Sequence, residues 1–290
     1  MRNILTIDVE EYFHASEVQR FTGARSWPHY PSRVEDQTNR ILELLDRHRT
    51  KATFFVLGWV AERCGRLVRT IHAAGHEIGC HSYAHRLVYQ MTPVEFRLDT
   101  ERALSAIEDA CGVTPTAYRA PSYSITRQSL WALEILASSG FTHDSSIYPI
   151  AHDRYGIPGF ARSAQILSTP SGPIHEIPVA TADIWNGMMA PVGGGAYLRL
   201  LPYRYTAAGI RRINREEGRP ACIYLHPWEI DCGQPRLARS SLSRLRTYAG
   251  IGGMFRKLER LLEDFRFSTL EDVHPAGDRA EPTASLPMAG

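Results

Sequence analysis

The chain of 290 residues is poor in cysteine and has no long apolar run. Its cysteines, Cys64, Cys80, Cys111, Cys222 and Cys232, are odd in number and widely spaced. That excludes a disulfide framework and a CxxC zinc site, and leaves buried free thiols as the reading. No stretch of about 18 apolar residues occurs, so no transmembrane helix is expected. The opening MRNILTIDVEEYFH reaches acidic residues too early for a secretory leader, and a cytoplasmic location is expected. An excess of one charge is also missing. Lys+Arg 33 against Asp+Glu 31 leaves a formal net charge of +2, which excludes the basic stripe of a nucleic-acid binder. The same balance gives no reason to expect strong attraction to anionic lipid. Internal repeats are absent. Gly193-Gly194-Gly195 lacks the GK[ST] of a phosphate loop and the strand-to-helix setting of a dinucleotide fingerprint.

What is present is an ordinary globular composition, 43% apolar and 22% charged. A chain of this size can bury a core without a metal or a disulfide. Short apolar runs at 4–9, 51–59, 76–82, 114–122, 141–146, 173–180 and 220–226 read as strands. Between them lie helical patterns at 34–50, 66–75, 91–112, 126–140 and 205–218, with two more on either side of Gly250–Gly253 in 241–265. The clearest is 91–112, with Thr92 at the N-cap, Pro93 first in the helix, Glu95 completing a capping box and Gly112 as the stop. Strands alternating with helices predict an α/β fold with a parallel sheet. Residues 1–272 read as one elaborated domain, and 273–290, rich in Pro, Ala and Gly, as a disordered tail.

Acids and histidines gather where the expected strands end: Asp8 and Glu10, His81 and His85, Asp144, and His226, with Arg119 at a further strand end. Strand C-termini of a parallel sheet converge on one face, where ligands bind. The i, i+4 spacing of His81 and His85 on a helical turn would aim both rings at one ion, and Glu10 would complete a His₂-carboxylate set with room for water. Asp8 and Glu10 share a side of an extended segment, so one can ligate while the other takes a proton from water. His226 can protonate a leaving amine or serve as a third imidazole ligand. Arg119 can orient a carboxylate or make a structural ion pair. Asp144 can orient His226 through its ring N–H or cap a turn. Tyr12, Phe13, Trp27, Tyr30, Tyr123, Tyr148, Trp185 and Trp228 fall in expected loops and are candidates for stacking on a sugar.

Taken in order, TIDVE (6–10), HSYAH (81–85), RAPS (119–122), DSS (144–146) and LH (225–226) resemble the five motifs of the NodB-type polysaccharide deacetylases, carbohydrate esterase family 4. HPWEID (226–231), LLPY (200–203) and GIGGMFRKLERLLEDF (250–265) resemble the subgroup found with exosortase-linked exopolysaccharide loci, whose own portion would begin at about 143. The resemblance implies a distorted (β/α) barrel with a C-terminal helical extension. It implies a divalent metal, zinc foremost with cobalt or nickel as alternates, held by Glu10, His81 and His85. By position Asp8 matches the base, Arg119 its tether, His226 the acid and Asp144 the residue tuning that acid, and the backbone N–H of Ser122 would be an oxyanion donor. The implied activity is removal of N-acetyl groups from amino sugars of a bacterial exopolysaccharide or its lipid-linked precursor. The implied partners are an N-acetylated glycan or lipid-linked oligosaccharide, with peripheral association to a membrane polysaccharide-synthesis complex. Two departures stand out: IDVE replaces the usual adjacent aspartates, and RAPSY replaces RxPYG. They leave a hydrolase of a small cyclic amide, or a catalytically dead carbohydrate-binding protein, as alternative readings.

Overall fold

The computed structural model describes residues 1–152, 154–185, 188–276 and 284–285, with the side chains of 184–188 outside the description. Most of the expected tail, and the side chain of Trp185, therefore lie outside the described residues. Strand β1 (Asn3–Val9) is buried along its whole length. Continuous burial is what a strand of a parallel sheet covered on both faces requires, and NILTIDV supplies four apolar residues, with Asn3, Thr6 and Asp8 buried among them. A short helix α1 (Ser16–Gln19) and the longer α2 (Val34–Arg47) follow, α2 burying Ile41, Leu44 and Leu45. After β2 (Thr53–Val56) come α3 (Gly58–Arg63) and α4 (Gly65–Ala73), then β3 (Glu77–Cys80).

Helix α5 (Pro93–Cys111) has the expected capping box at Thr92 and Glu95, and Gly112 closes it at φ 75°, a left-handed value that suits glycine. Strand β4 (Ala117–Tyr118), helix α6 (Trp131–Ser138) and strand β5 (His143–Asp144) complete this part. The rest holds more strand than periodicity suggests. An antiparallel hairpin joins β6 (Gln165–Thr169) to β7 (Gly172–Glu176), and a separate one joins β8 (Thr181–Trp185) to β9 (Met188–Pro191). Helices α7 (Ala196–Leu200) and α8 (Tyr203–Arg215) lead to β10 (Cys222–Leu225). The end of the chain contributes α9 (Ser241–Tyr248), α10 (Ile251–Asp264), β11 (Phe267–Ser268) and α11 (Leu270–Val273). The C-terminal portion is thus more than a helical extension, since β11 returns to pair with β1.

The result is an α/β fold on a mostly parallel sheet, with strand order β10-β1-β2-β3-β4-β5-β7-β6. Its register positions the site. Ile7 pairs with Leu225, Val9 with Val56, Val56 with Cys80, Cys80 with Tyr118, Tyr118 with Asp144, and Asp144 with Glu176. One row therefore runs from Val9 on β1 to Glu176 on β7, with β10 set two residues back along β1, and Glu10, His81, Arg119 and His226, each just past its strand, emerge at the same end of the sheet. Beyond β7 the Ala180 N–H donates to the Cys222 carbonyl at 3.0 Å, linking that chain to β10. All five cysteines are free thiols, with Cys111 half-buried and Cys232 exposed rather than buried.

Candidate active site

Glu10, His81 and His85 are each buried and each offer a ligand atom, the three lying within 4.8 Å of one another. Glu10 Oε2 is 2.7 Å from His85 Nε2 and 4.0 Å from His81 Nε2. No hydrogen bond satisfies that buried oxygen. An unsatisfied buried carboxylate oxygen is costly unless a cation completes it. The donor set of two imidazoles and a carboxylate suits zinc, and leaves a coordination position open. His81 Nδ1 donates to the Arg119 carbonyl at 2.8 Å, so its Nε2 lone pair faces Glu10, as a ligating tautomer must. Trp228 Nε1 donates to the other Glu10 oxygen at 2.9 Å. Burial pushes the Glu10 carboxyl up, but the surrounding imidazoles, His85 foremost, outweigh it and hold the group well below the ordinary carboxylate range. His81, by contrast, is drawn down to about 4 by burial.

The two histidines do not share a helical turn. Residues 81–85 form a loop in which Ser82 and His85 adopt left-handed φ values of 67° and 51°. Asp99 on α5 makes this possible. Its carboxylate accepts from Ser82 Oγ (2.7 Å), Tyr83 N–H (2.8 Å) and Ala84 N–H (3.3 Å), so the loop's donors are satisfied without a helix.

Asp8 lies beside this group. Arg119 Nη1 donates to Asp8 Oδ1 at 2.9 Å and to Thr6 Oγ1 at 2.5 Å. The remaining face of Arg119 is held by the carbonyl and Oγ of Ser145, at 3.0 and 2.8 Å. This fully buried guanidinium can hold Asp8 in one orientation. His226 Nε2 is 3.8 Å from both Asp8 Oδ2 and Glu10 Oε1.

The carboxylate that orients His226 is Glu229. His226 Nδ1 donates to Glu229 Oε2 at 3.0 Å, and Arg199 Nε donates to Glu229 Oε1 at 3.0 Å. Burial pulls the His226 imidazole down, but its bond to Glu229 and the nearby Glu10 and Asp8 overcome that and push it up to about 9. The expected role of Asp144 does not match this geometry. Its side chain accepts from Ser146 Oγ at 2.5 Å, and Ser146 Oγ accepts from the Ala120 N–H at 2.8 Å. Asp144 therefore braces the turn before Ser122, and β5 delivers it opposite Glu176. Glu229 and Arg199 carried a weaker sequence signal: an i, i+3 His–Glu pair directly after a buried strand.

Ser122 sits at φ 52°, and its hydroxyl meets that of Ser16. Together with Asp8, Glu10, His85 and His226 it lines a cavity of about 880 Å³, within the range of ligand sites. Several expected sugar platforms are core instead. Tyr12, Phe13 and Tyr148 are buried, the first two packing with Trp27 and Trp228. Trp27, Tyr123 and Trp228 reach the cavity wall, joined by Tyr89, Tyr155, Tyr197 and Tyr224, which periodicity did not single out. Tyr30 lines a smaller neighbouring groove.

The fold and this edge define a parallel-sheet α/β protein with a buried two-histidine, one-carboxylate group at the strand ends. Residues 28–142 match the family model described as polysaccharide deacetylase, and 145–275 match one described as a domain of unknown function, DUF3473. The chain is thus similar to polysaccharide deacetylases over 28–142 and to the DUF3473 family over 145–275, each match covering less than half of it. Asp8 and Glu10 precede both matched stretches. A peptidoglycan-N-acetylglucosamine deacetylase of Bacillus cereus is 35% identical over 98 residues, 33% of this chain and 36% of that protein. A chitooligosaccharide deacetylase of a Bradyrhizobium species is 33% identical over 103 residues, 35% of this chain and 44% of that protein. The match thus spans less than half the length of these relatives. A crystal structure from Mycobacterium smegmatis, assigned as a polysaccharide deacetylase, shares the fold with a TM-score of 0.65. Its sequence is 20% identical, and the match covers 93% of this chain and 87% of that one. Among the described residues no helix is long and apolar enough to cross a membrane.

Proposed function

We propose that this chain is a metal-dependent hydrolase removing N-acetyl groups from amino sugars of a bacterial exopolysaccharide or its lipid-linked precursor. The observation that carries the reading is the unsatisfied Glu10 Oε2, grouped with the ligand atoms of His81 and His85, while His226 Nε2 stands 3.8 Å from both Asp8 Oδ2 and Glu10 Oε1. Glu10, His81 and His85 would hold the ion. When bound, a divalent ion such as zinc polarises an amide carbonyl and acidifies a water.

The chain's own residues do the rest. Asp8, fixed by Arg119, takes a proton from the attacking water. His226, fixed by Glu229, gives its Nε2 proton to the departing nitrogen. Water adds to the carbonyl carbon and the C–N bond breaks, so the products are acetate and a free amine. The Ser122 N–H is assigned to the carbonyl oxygen, and Asp144 to bracing the turn that carries it. Both family-matched segments act as one unit over 1–272 in this reading. Its support is that β10, from the second, pairs with β1, and β7 pairs with β5. The reading includes a cytoplasmic site of action and peripheral association with a polysaccharide-synthesis complex, which cell fractionation tests.

The deciding experiment is acetate release from a panel of N-acetylated glycans and lipid-linked sugars, with metal content measured on the same preparation. Release that disappears on chelation and returns with zinc or cobalt supports the proposal. Full turnover in exhaustively metal-free protein overturns it.

A further inference from the structure

The balanced net charge hides a local asymmetry. From Cys232 to Leu258 the sequence has no Asp or Glu, yet it contains Arg236, Arg239, Arg244, Arg246, Arg256 and Lys257. A second acid-free stretch runs from Val18 to Val34 and contains Arg20, Arg25 and Arg33. The fold brings the two together. Ser243 Oγ on α9 donates to Glu17 Oε2 on α1 at 2.9 Å, and Arg246 Nη1 donates to Glu17 Oε1 at 3.1 Å. Glu17 also pairs with Arg20 and Arg154, and Arg33 is paired with Asp231, so the charge that these acids leave over is carried by Arg236, Arg239 and Arg244. Arg236 and Arg239 are exposed and lie over the rings of Tyr248 and Phe21, and Arg244 is exposed beside them. Among the described residues none of these three is ion-paired.

The same rim carries exposed leucine. Among the described residues only six large apolar side chains are strongly exposed, and three are Leu200, Leu242 and Leu245, at 43%, 56% and 55%. Leu242 and Leu245 stand i, i+3 on α9 and so share a face. Leu200 ends α7, which is tied to α9 where Arg199 Nη2 donates to the Arg246 carbonyl at 2.5 Å. Gly250 allows this approach: at φ 81°, a Cβ there would come within 2.4 Å of the Arg199 carbonyl oxygen. Leu200, Arg246 and Arg20 also line the cavity that holds Asp8 and His226.

We propose that this rim is a docking surface for an anionic lipid bilayer, onto which the cavity opens. Arginine without neighbouring acid is attracted to anionic headgroups. Exposed leucine gains by entering the interface, where a polar glycan would offer it nothing. Arginine can keep its charge at headgroup level while its stem lies alongside those leucines. The proposal is independent of the chemistry assigned to the cavity, because it concerns only the outer rim.

The test is flotation of the full chain with vesicles of pure phosphatidylcholine and with vesicles holding about 30% phosphatidylglycerol. The expected result is at least about tenfold stronger partitioning onto the anionic vesicles, weakened by salt. Leu242→Glu with Leu245→Glu, and separately Arg239→Glu with Arg244→Glu, should each lower it about tenfold or more, with circular dichroism unchanged. Four results overturn the proposal: no partitioning, equal partitioning onto neutral vesicles, full partitioning by the leucine variant, or retention by a soluble acidic polysaccharide with none by vesicles.

Discussion

Asp8, Glu10, His81, His85 and Arg119 come from the first half of the sheet, Asp8 within β1 and the others after strands whose register sets their place. His226 comes from the second half and reaches the same point on β10, but its partners are of a different kind. Arg119 is gripped by Thr6 within β1 and by Ser145 just past β5. His226 is gripped by Glu229 in the next turn and, through it, by Arg199 on α7. The comparison separates two ways of building a site. One half sets functional groups directly on sheet edges. The other sets one group on the sheet and relies on a buried ion pair from a distant helix to aim it.

Sharp loss of turnover in His226→Ala is the largest effect that tests this contrast. Removing a general acid typically lowers rate by about 10²–10⁴-fold. Metal content should stay near that of the parent, since His226 is no ligand in this account. Aryl acetates, with better leaving groups, should lose less than N-acetyl sugars. Equal loss on both substrates would place His226 elsewhere in the chemistry.

Smaller effects should follow from the partners. Glu229→Gln should lower turnover about 10–100-fold, the usual scale for an outer hydrogen-bonding partner, and Asp144→Asn should lower it less. The reverse order would restore Asp144 as the residue that tunes His226. Trp228→Phe removes the donor to Glu10, so metal affinity should fall about 10–100-fold while the fold is retained. Titration with a chelator as competitor measures it, and unchanged affinity would detach Trp228 from the site.

The smallest effect concerns the brace behind Ser122. Burial, then neighbouring Asp144, holds the Glu176 carboxyl well above its ordinary 4.5. The native chain therefore keeps a proton that the unfolded chain has released, and stability falls as pH climbs above that ordinary value. Glu176→Gln should flatten the fall in urea midpoint over roughly pH 5 to 7. A slope as steep as the parent's would mean the proton sits elsewhere.

Much of the first half was legible in the sequence because its signals are local. A capping box, a buried strand and a strand-end acid each need only a few neighbours, and Thr92, β1 and Glu10 all lie where these place them. The helical reading of 81–85 failed because Asp99, 14 residues past His85, satisfies the loop's N–H groups. Asp144 was paired with His226 because both stand at strand ends, but sequence order does not say that β5 sits between β4 and β7, with Asp144 opposite Glu176. Glu229 was missed because its role depends on Arg199, 30 residues upstream. The aromatics were read as exposed because they fall between periodic segments. Tyr12, Phe13 and Trp27 instead form a second core with residues from 228–251, a long-range packing that no local pattern carries.

The central claim is that two carboxylates separated by one residue divide the labour, Glu10 holding a metal and Asp8 moving a proton. Metal content measured beside acetate release in Asp8→Asn and Glu10→Ala tests it most directly. The account predicts that Asp8→Asn keeps about one metal per chain and loses about 10²–10⁴-fold in rate, whereas Glu10→Ala loses its metal together with its activity. A metal-free Asp8→Asn, or a fully loaded Glu10→Ala, would contradict it.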